Sequence, residues 1–139
     1  MEDMVVGFLF SEDKSHVALI RKLRPEWQRM KLNGIGGHIE KDETPEQAMR
    51  REFREEAGVD IPENEWKYDA VLTGKNSNWR VHFFHAFGDL SKLSSQTDEE
   101  ITTTESYFLV DPYLIGNIKW LIPMCLDESI QKPVHIMEN

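Results

Sequence analysis

Alternating apolar and polar stretches divide the chain into strands and connecting segments. Apolar runs of strand length that are rich in β-branched and aromatic residues, and that end at polar segments, are typical of strands. The first run, residues 4–10, is continuous and therefore predicts a buried strand. Together the runs predict five strands, over residues 4–10, 16–21, 66–73, 79–87 and 106–110.

Polar or glycine-rich segments separate these runs. Residues 11–15 predict a hairpin loop, residues 24–27 and 91–100 predict further loops, and the last residues are expected to be irregular. Residues 32–37 (LNGIGG) are expected to form no regular element, because glycine adds backbone freedom.

One segment carries the complete signature of a helix. Thr44 is placed to cap its start, Pro45 suits the first helical position, and Gln47 completes a capping box. Gly58 is placed to end the helix in a left-handed conformation. The sequence therefore predicts a helix over residues 45–57.

The order of the elements predicts the fold class. A second helix is predicted over residues 119–126, where Pro123 limits its length. Strands outnumber helices and their order is mixed, which indicates an α+β fold with helices packed on a mixed sheet. The length of 139 residues predicts one domain, residues 1–139.

The helix over residues 45–57 has three faces at 100° per residue. One reading is a solvated helix with salt bridges between residues four apart. However, the acidic face places like charges next to an apolar stripe, where a divalent cation would relieve their repulsion. The acidic face holds Glu52, Glu55 and Glu56, the apolar face Met49, Phe53 and Ala57, and the basic face Arg50, Arg51 and Arg54.

Composition narrows the classes of partner. The chain has 16 Lys and Arg against 25 Asp and Glu, a net charge of −9, which disfavours binding to nucleic-acid backbone. The single cysteine, Cys125, excludes an internal disulfide and a Cys-rich zinc site. The acidic N-terminus and the short apolar runs match neither a signal peptide nor a membrane helix. We therefore expect a cytoplasmic protein without a membrane or nucleic-acid partner.

The spacing around the helix resembles the Nudix box, G-x5-E-x7-R-E-U-x-E-E-x-G-U, where U is apolar. Every fixed position is matched, and Phe53 is aromatic where U is usually aliphatic. The matching residues are Gly37, Glu43, Arg51, Glu52, Phe53, Glu55, Glu56, Gly58 and Val59.

This resemblance implies an α/β/α sandwich around a mixed sheet and a hydrolase of nucleoside diphosphate derivatives that binds Mg²⁺ or Mn²⁺. The box carboxylates and Arg51 would form the catalytic group, with Arg51 orienting a glutamate. Glu43 would support the loop and helix, and Gly58 would end the helix. The implied metal ligands are Glu52, Glu55, Glu56 and the carbonyl of Gly36.

The general base is left open between the box glutamates and a later acidic loop. The loop candidates are Asp98, Glu99, Glu100 and Glu105. Glu105, just before the predicted strand at residues 106–110, resembles the extra metal-binding glutamate of MutT-like members, but a solvated loop acid is the favoured reading.

Substrate contacts are expected from residues outside the carboxylates. Gly37 lets a ligand approach the backbone closely. His38 is either a phosphate contact or a surface histidine. Trp27 is the preferred base-stacking residue because its polar neighbours suggest exposure, and Asn117 is a further candidate for reading a base edge.

The leading hypothesis is hydrolysis of a nucleoside triphosphate to a monophosphate and pyrophosphate. Residues 74–77 (GKNS) lack the proline or tyrosine marker of ADP-ribose and dinucleoside polyphosphate enzymes. Those substrates and nucleotide sugars form the alternative. A non-catalytic nucleotide sensor is a second alternative, which the complete box disfavours. An isomerase would need a site cysteine, whereas Cys125 lies in an apolar, core-like segment. By analogy with the family, the partner is a small-molecule nucleotide and a homodimer is expected.

Overall fold

A mixed sheet of eight strands forms the centre of the protein. The structure is a computed structural model, and it describes residues 1–76 and 78–138. Two residues lie outside the described residues: Ser77, in the segment that lacks substrate markers, and Asn139, at the end of the predicted domain. The strands are β1 (Glu2–Ser11), β2 (His16–Arg21), β3 (Leu32–Asn33), β4 (Ile35–His38), β5 (Lys67–Thr73), β6 (Trp79–Gly88), β7 (Ile101–Glu105) and β8 (Val134–Met137), and the helices are α1 (Pro45–Ala57) and α2 (Ile118–Leu126).

Parallel and antiparallel pairs occur in the same sheet, whose main path runs β3-β2-β1-β6-β5-β8. Strand β1 pairs with β6 in parallel along its whole length, from Glu2 opposite Trp79 to Ser11 opposite Gly88. Strand β8 is parallel to β5, while β4 and β7 pair antiparallel with β1 and β2. The predicted α+β class with a mixed sheet is therefore confirmed.

The two helices cover opposite faces of this sheet. Val5 and Leu9 of β1 belong to the apolar core under α1, whereas Phe8 and Phe10 belong to the core under α2. Because successive strand residues point to opposite faces, these sets mark two separate layers of packing. The arrangement is an α/β/α sandwich.

Helix α1 begins and ends where the sequence predicts. The Thr44 side chain accepts a hydrogen bond from the Gln47 backbone N–H at 3.1 Å, and the Gln47 side chain accepts one from the Thr44 N–H at 2.9 Å. Gly58 ends the helix with φ of 77°, in the left-handed region that favours glycine. Ala48, Met49 and Phe53 are buried against the sheet, so the acidic face points away from this core.

The expectation of irregular structure at residues 32–37 is wrong. These residues form β3 and the start of β4, and β4 pairs with β1, with Gly36 opposite Val6. A Cβ at Gly36 would lie 1.8 Å from the Val5 carbonyl oxygen. Glycine there reflects the close approach of two backbones rather than flexibility.

Two other predictions about strands are also wrong. The strand predicted at residues 106–110 is absent, because these residues contain a turn and irregular structure. The strand in this region is β7, Ile101–Glu105, which ends just before them. The C-terminal segment is not irregular throughout, because β8 pairs with β5. Among the residues that the structure describes, no helix is both long enough and apolar enough to cross a membrane.

Candidate active site

Arg51 connects the start of the predicted box to its helix. Its guanidinium donates to both carboxylate oxygens of Glu43, at 2.6 and 2.9 Å, and to the carbonyl oxygen of His38 at 3.0 Å. It also donates to Glu52 at 2.7 Å and to Glu55 at 3.2 Å. Hydrogen bonds from Arg51, above all to Glu43, raise its pKa beyond the normal range for arginine. The guanidinium is therefore a fixed positive charge that orients the carboxylates around it.

Glu52 and Glu56 are partly withdrawn from solvent, whereas Glu55 is open to it. The side chain of Glu52 is 14% exposed and that of Glu55 is 54% exposed. Burial raises the pKa of Glu52, although its bond to Arg51 opposes this effect. Burial also raises the pKa of Glu56, and the negative charge of Glu52 adds to it. The charges of these two carboxylates therefore act on each other, although the ligand atoms of Glu52, Glu55 and Glu56 do not all lie within 4.8 Å of one another.

The glycines of β4 make room for this group. A Cβ at Gly37 would lie 2.5 Å from Oε2 of Glu52, so the carboxylate rests directly against the glycine backbone. Gly36, the preceding residue, pairs with Val6 in the sheet. Its carbonyl remains a predicted ligand, and the close packing of Glu52 on Gly37 places the carboxylate beside this backbone.

The donor set fits a hard divalent cation. Glu52, Glu55 and Glu56 offer oxygen atoms, the ligand type that Mg²⁺ prefers. Burial disfavours the charged forms of Glu52 and Glu56 and raises their pKa values, although Arg51 and Lys22 oppose this effect. A divalent ion bound there would stabilise the charged forms.

Lys22 and Glu99 form a second charged pair next to Glu56. Lys22 Nζ lies 3.1 Å from Oε1 of Glu99, and Oε2 of Glu99 accepts from the backbone N–H groups of Leu23 and Arg24 at 2.6 and 3.3 Å. Burial pushes the pKa of Glu99 upward, but these hydrogen bonds together hold it below its ordinary value. The positive charge of Lys22 also favours the ionised form of Glu56.

Sequence reasoning missed Lys22 because no local pattern marks it. Lys22 and Glu99 are 77 positions apart and meet only when β7 pairs with β2. The loop from Ser94 to Glu99 reaches α1 as well, through a hydrogen bond of 3.4 Å from the Thr97 hydroxyl to Glu56. Glu99 was one of the four acidic loop candidates, and here it anchors a loop.

The structure does not bring Glu105 to the box carboxylates. Glu105 ends β7 opposite His16, whereas Ile101 at the other end of the strand lies opposite Ile20. At ~3.3 Å per residue the two ends of this strand are about 13 Å apart, and the end near Ile101 leads to Glu99. The interpretation of Glu105 as a metal ligand depended on a strand at residues 106–110, which does not exist. Of the remaining candidates, Asp98 forms an exposed pair with Arg24.

The predicted substrate contacts lie on three different segments of the chain. Trp27 is 64% exposed, on a short 3-10 helix in the loop between β2 and β3. His38 is exposed at the end of β4. Asn117 precedes α2, and its Oδ1 atom is buried without a hydrogen-bond partner among the described residues.

Comparison with known proteins identifies the family. A model of the NUDIX domain matches residues 1–120. The chain therefore belongs to the NUDIX family, and by class it is a Nudix hydrolase. No curated protein matches the sequence.

Solved structures show the same fold. A mutator MutT protein from Bacillus halodurans has a TM-score of 0.68 and 16% identity over 88% of this chain and 80% of its own. A MutT from a study of Aliivibrio salmonicida and Vibrio cholerae has a TM-score of 0.64 and 21% identity over 76% of this chain and 80% of its own. A MutT/nudix family protein from Enterococcus faecalis also has a TM-score of 0.64, with 18% identity over 75% of this chain. The present chain spans only 43% of that protein.

Proposed function

We propose that this chain is a Mg²⁺-dependent pyrophosphohydrolase that cleaves a nucleoside triphosphate to a nucleoside monophosphate and pyrophosphate. The observation that carries the proposal is the pair of shielded carboxylates, Glu52 and Glu56, beside the exposed Glu55. The three side chains offer oxygen atoms from one helix, and two of them are shielded from solvent, which suits a divalent cation. The family membership supports action on a diphosphate linkage.

Glu52, Glu55, Glu56 and the Gly36 carbonyl would hold the metal. A bound Mg²⁺ neutralises phosphate oxygens and lowers the pKa of water. Arg51 keeps Glu52 and Glu55 in place through its hydrogen bonds of 2.7 and 3.2 Å. One of the box glutamates, Glu52, Glu55 or Glu56, accepts the proton of the attacking water.

A nucleoside is the favoured group on the other side of the linkage. The buried Oδ1 of Asn117 has no donor within the described parts of the chain, and a base N–H would satisfy it. Leu114, which pairs with Leu32 of β3, connects the Asn117 segment to the strand that runs on into the box glycines. Trp27 offers an exposed aromatic face for stacking. These features support a base at one end and phosphates at the carboxylates.

We further propose that residues 1–139 act as one cytoplasmic domain on a small-molecule nucleotide, with a homodimer as the expected assembly. Light scattering on the purified protein tests the assembly.

The decisive experiment is a substrate panel with excess Mg²⁺ that follows release of pyrophosphate and phosphate. The panel contains ordinary and oxidised nucleoside triphosphates, ADP-ribose, nucleotide sugars and dinucleoside polyphosphates. We expect pyrophosphate from one or a few triphosphates. Turnover of only diphosphate-linked compounds would replace the proposed substrate class with the alternative. Saturable nucleotide binding without turnover would indicate a sensor.

Variants connect any turnover to the carboxylates. Glu55→Gln and Glu56→Gln are expected to lose turnover by orders of magnitude while remaining folded by circular dichroism. Glu65→Gln is the matched control, because Glu65 is an exposed acid outside the box. Full turnover in both box variants would contradict the proposal.

A further inference from the structure

A second cluster of metal-ligating side chains lies on the face of the sheet opposite α1. Asp69 of β5, His85 of β6 and Cys125 of α2 place a carboxylate oxygen, a ring nitrogen and the sulfur within 4.8 Å of one another. All three residues are buried. Cys125 belongs to the apolar core under α2, so this cluster is separated by the sheet from the box carboxylates.

An irregularity in the strand pairing brings these side chains together. Asp69 falls at an irregularity in the pairing of β5 with β6, between Tyr68 and Ala70. Such a bulge redirects a side chain. The His85 ring is fixed by a hydrogen bond of 2.7 Å between its Nδ1 and Oδ2 of Asp69, and by edge contacts with Phe10 and Phe87.

The other carboxylate oxygen of Asp69 faces a single cation. Asp69 is 0% exposed, and Lys132 Nζ lies 2.8 Å from its Oδ1 atom as an ion pair. The same ammonium donates to the Cys125 carbonyl oxygen, also at 2.8 Å. A positive charge therefore already lies next to two of the three clustered side chains.

We propose that Asp69, His85 and Cys125 form a site for one thiophilic divalent cation of the Zn²⁺ class, and that the Lys132 ammonium occupies the cation position when the metal is absent. Thiolate, imidazole and carboxylate are the ligands that zinc takes, whereas Mg²⁺ prefers oxygen alone. Ligand atoms around tetrahedral zinc lie roughly 3.5 Å apart, and the three ligand atoms here lie within 4.8 Å of one another, so small side-chain adjustments complete the site.

Charge balance defines what binding requires. In the metal-free state the Asp69 carboxylate is balanced by Lys132. With a divalent ion, the charges of the Asp69 carboxylate and the Cys125 thiolate balance the metal, and Lys132 must withdraw. The Lys132 side chain is 16% exposed, so it has a path to solvent. Burial raises the pKa of the Cys125 thiol, so binding releases a proton and strengthens as the pH rises.

Cobalt is a suitable probe because its bond to a thiolate gives a charge-transfer band in the near ultraviolet. Cys125 is the one cysteine in the chain, so such a band identifies this site without ambiguity. The box carboxylates contain no sulfur and cannot produce it. The experiment titrates Co²⁺ into the full chain, freed of any histidine tag and reducing thiol, and repeats the titration for variants.

We expect the band in the wild-type protein, and a Kd for Co²⁺ roughly tenfold lower or better in Lys132→Met, because a competing charge a few ångströms away has been removed. Cys125→Ser should abolish the band, and Glu56→Gln should retain it. Zn²⁺ should displace Co²⁺ and raise the Tm of wild type but not of Cys125→Ser.

The proposal is overturned if neither the wild-type protein nor Lys132→Met gives the band while both are folded by circular dichroism. It is also overturned if Lys132→Met binds Co²⁺ no more tightly than wild type. His85→Gln serves as a second test if Lys132→Met does not fold, because loss of the band must then follow loss of the imidazole. Failure of these tests leaves the pyrophosphohydrolase proposal untouched, since that proposal depends on turnover at the opposite face.

Discussion

The guanidinium of Arg51 donates a hydrogen bond of 2.7 Å to the carboxylate of Glu52, its neighbour in the same helix. Adjacent helix residues do not normally face each other. They meet here because Arg51 also bonds to Glu43 at 2.6 Å and to the His38 carbonyl oxygen at 3.0 Å, while the Glu52 carboxylate packs against Gly37. Arg51 thus positions the Glu52 carboxylate, although the two residues lie on different faces of the helix.

Arg51→Lys should therefore lower kcat while preserving the fold. A lysine ammonium cannot reproduce the paired bonds to Glu43 together with those to Glu52 and Glu55. We expect a loss of roughly 10–100-fold, as for other residues that orient metal ligands, with a higher Mg²⁺ requirement. Steady-state kinetics at several Mg²⁺ concentrations measure both.

Arg50→Lys is the matched control for this substitution. Arg50 also makes a paired bond, to Asp60 at 2.8 and 2.9 Å, but on the exposed side of α1. Equal losses of turnover in the two variants would show that Arg51 has only a structural role.

Gly37→Ala should displace Glu52 with little effect on folding. The new Cβ would lie 2.5 Å from the Glu52 carboxylate oxygen, and a flexible side chain can move away. Because a misplacement of 1 Å in a site can cost about 100-fold in rate, we expect turnover to fall by that order. Kinetics and thermal unfolding of the same preparation separate the two effects.

Substitutions at two other glycines are controls for Gly37→Ala. At Gly36 a Cβ would meet the Val5 carbonyl oxygen at 1.8 Å, so Gly36→Ala should impair folding itself. At Gly116 a Cβ would meet nothing within 4 Å, so Gly116→Ala should be neutral. Full activity in Gly37→Ala would mean that the observed position of Glu52 is not required.

Glu99→Gln should destabilise the protein at neutral pH but not in acid. The pKa of Glu99 is held below its ordinary value of 4.5, so the ionised form stabilises the fold above that pH. This contribution is lost as the pH falls through the lowered pKa. We expect a loss of about 1–2 kcal/mol at pH 7, because the bonds to Lys22 and Leu23 weaken. Urea unfolding across the pH range measures it, and a gap between variant and wild type that persists at low pH would contradict the mechanism.

Phe53 should contribute to stability rather than to catalysis. It is fully buried, and its ring meets that of Trp66 edge-on with centroids 5.2 Å apart. Phe53→Ala should cost about 3–5 kcal/mol, whereas Phe53→Leu should cost about 1 kcal/mol and restore the aliphatic residue of the box pattern. Both should keep the Mg²⁺ dependence of wild type. Loss of turnover in a folded Phe53→Leu protein would assign the ring a role at the site.

The features predicted correctly from the sequence are those that depend on a few neighbouring residues. The cap at Thr44 and the stop at Gly58 depend on a few consecutive residues, and both were predicted. The spacing of the box glutamates also lies within one helix and its preceding loop, so the candidate carboxylates could be named in advance.

Features that depend on distant pairing could not be read in this way. The glycines of β4 look like a flexible loop until β1 lies next to them, and β8 becomes a strand only because β5 offers it an edge. Strand β7 did carry a local signal, the run of β-branched residues from Ile101 to Thr104. The segment at residues 106–110 is more apolar, and the strand was therefore predicted there. The cluster around Asp69 depends on an irregular strand and on Lys132, which is far away in the sequence.

The long parallel pairing of β1 with β6 ties formation of the site to the progress of translation. Helix α1 is complete at residue 57, yet Phe84 and Ala86, which belong to the core beneath it, are made only with β6. A nascent chain that has passed the box therefore exposes an acidic helix whose apolar face has no finished surface to cover. Since domains generally fold as units, a chain that ended before residue 79 would hold every box residue but lack strand β6, which completes the core under α1.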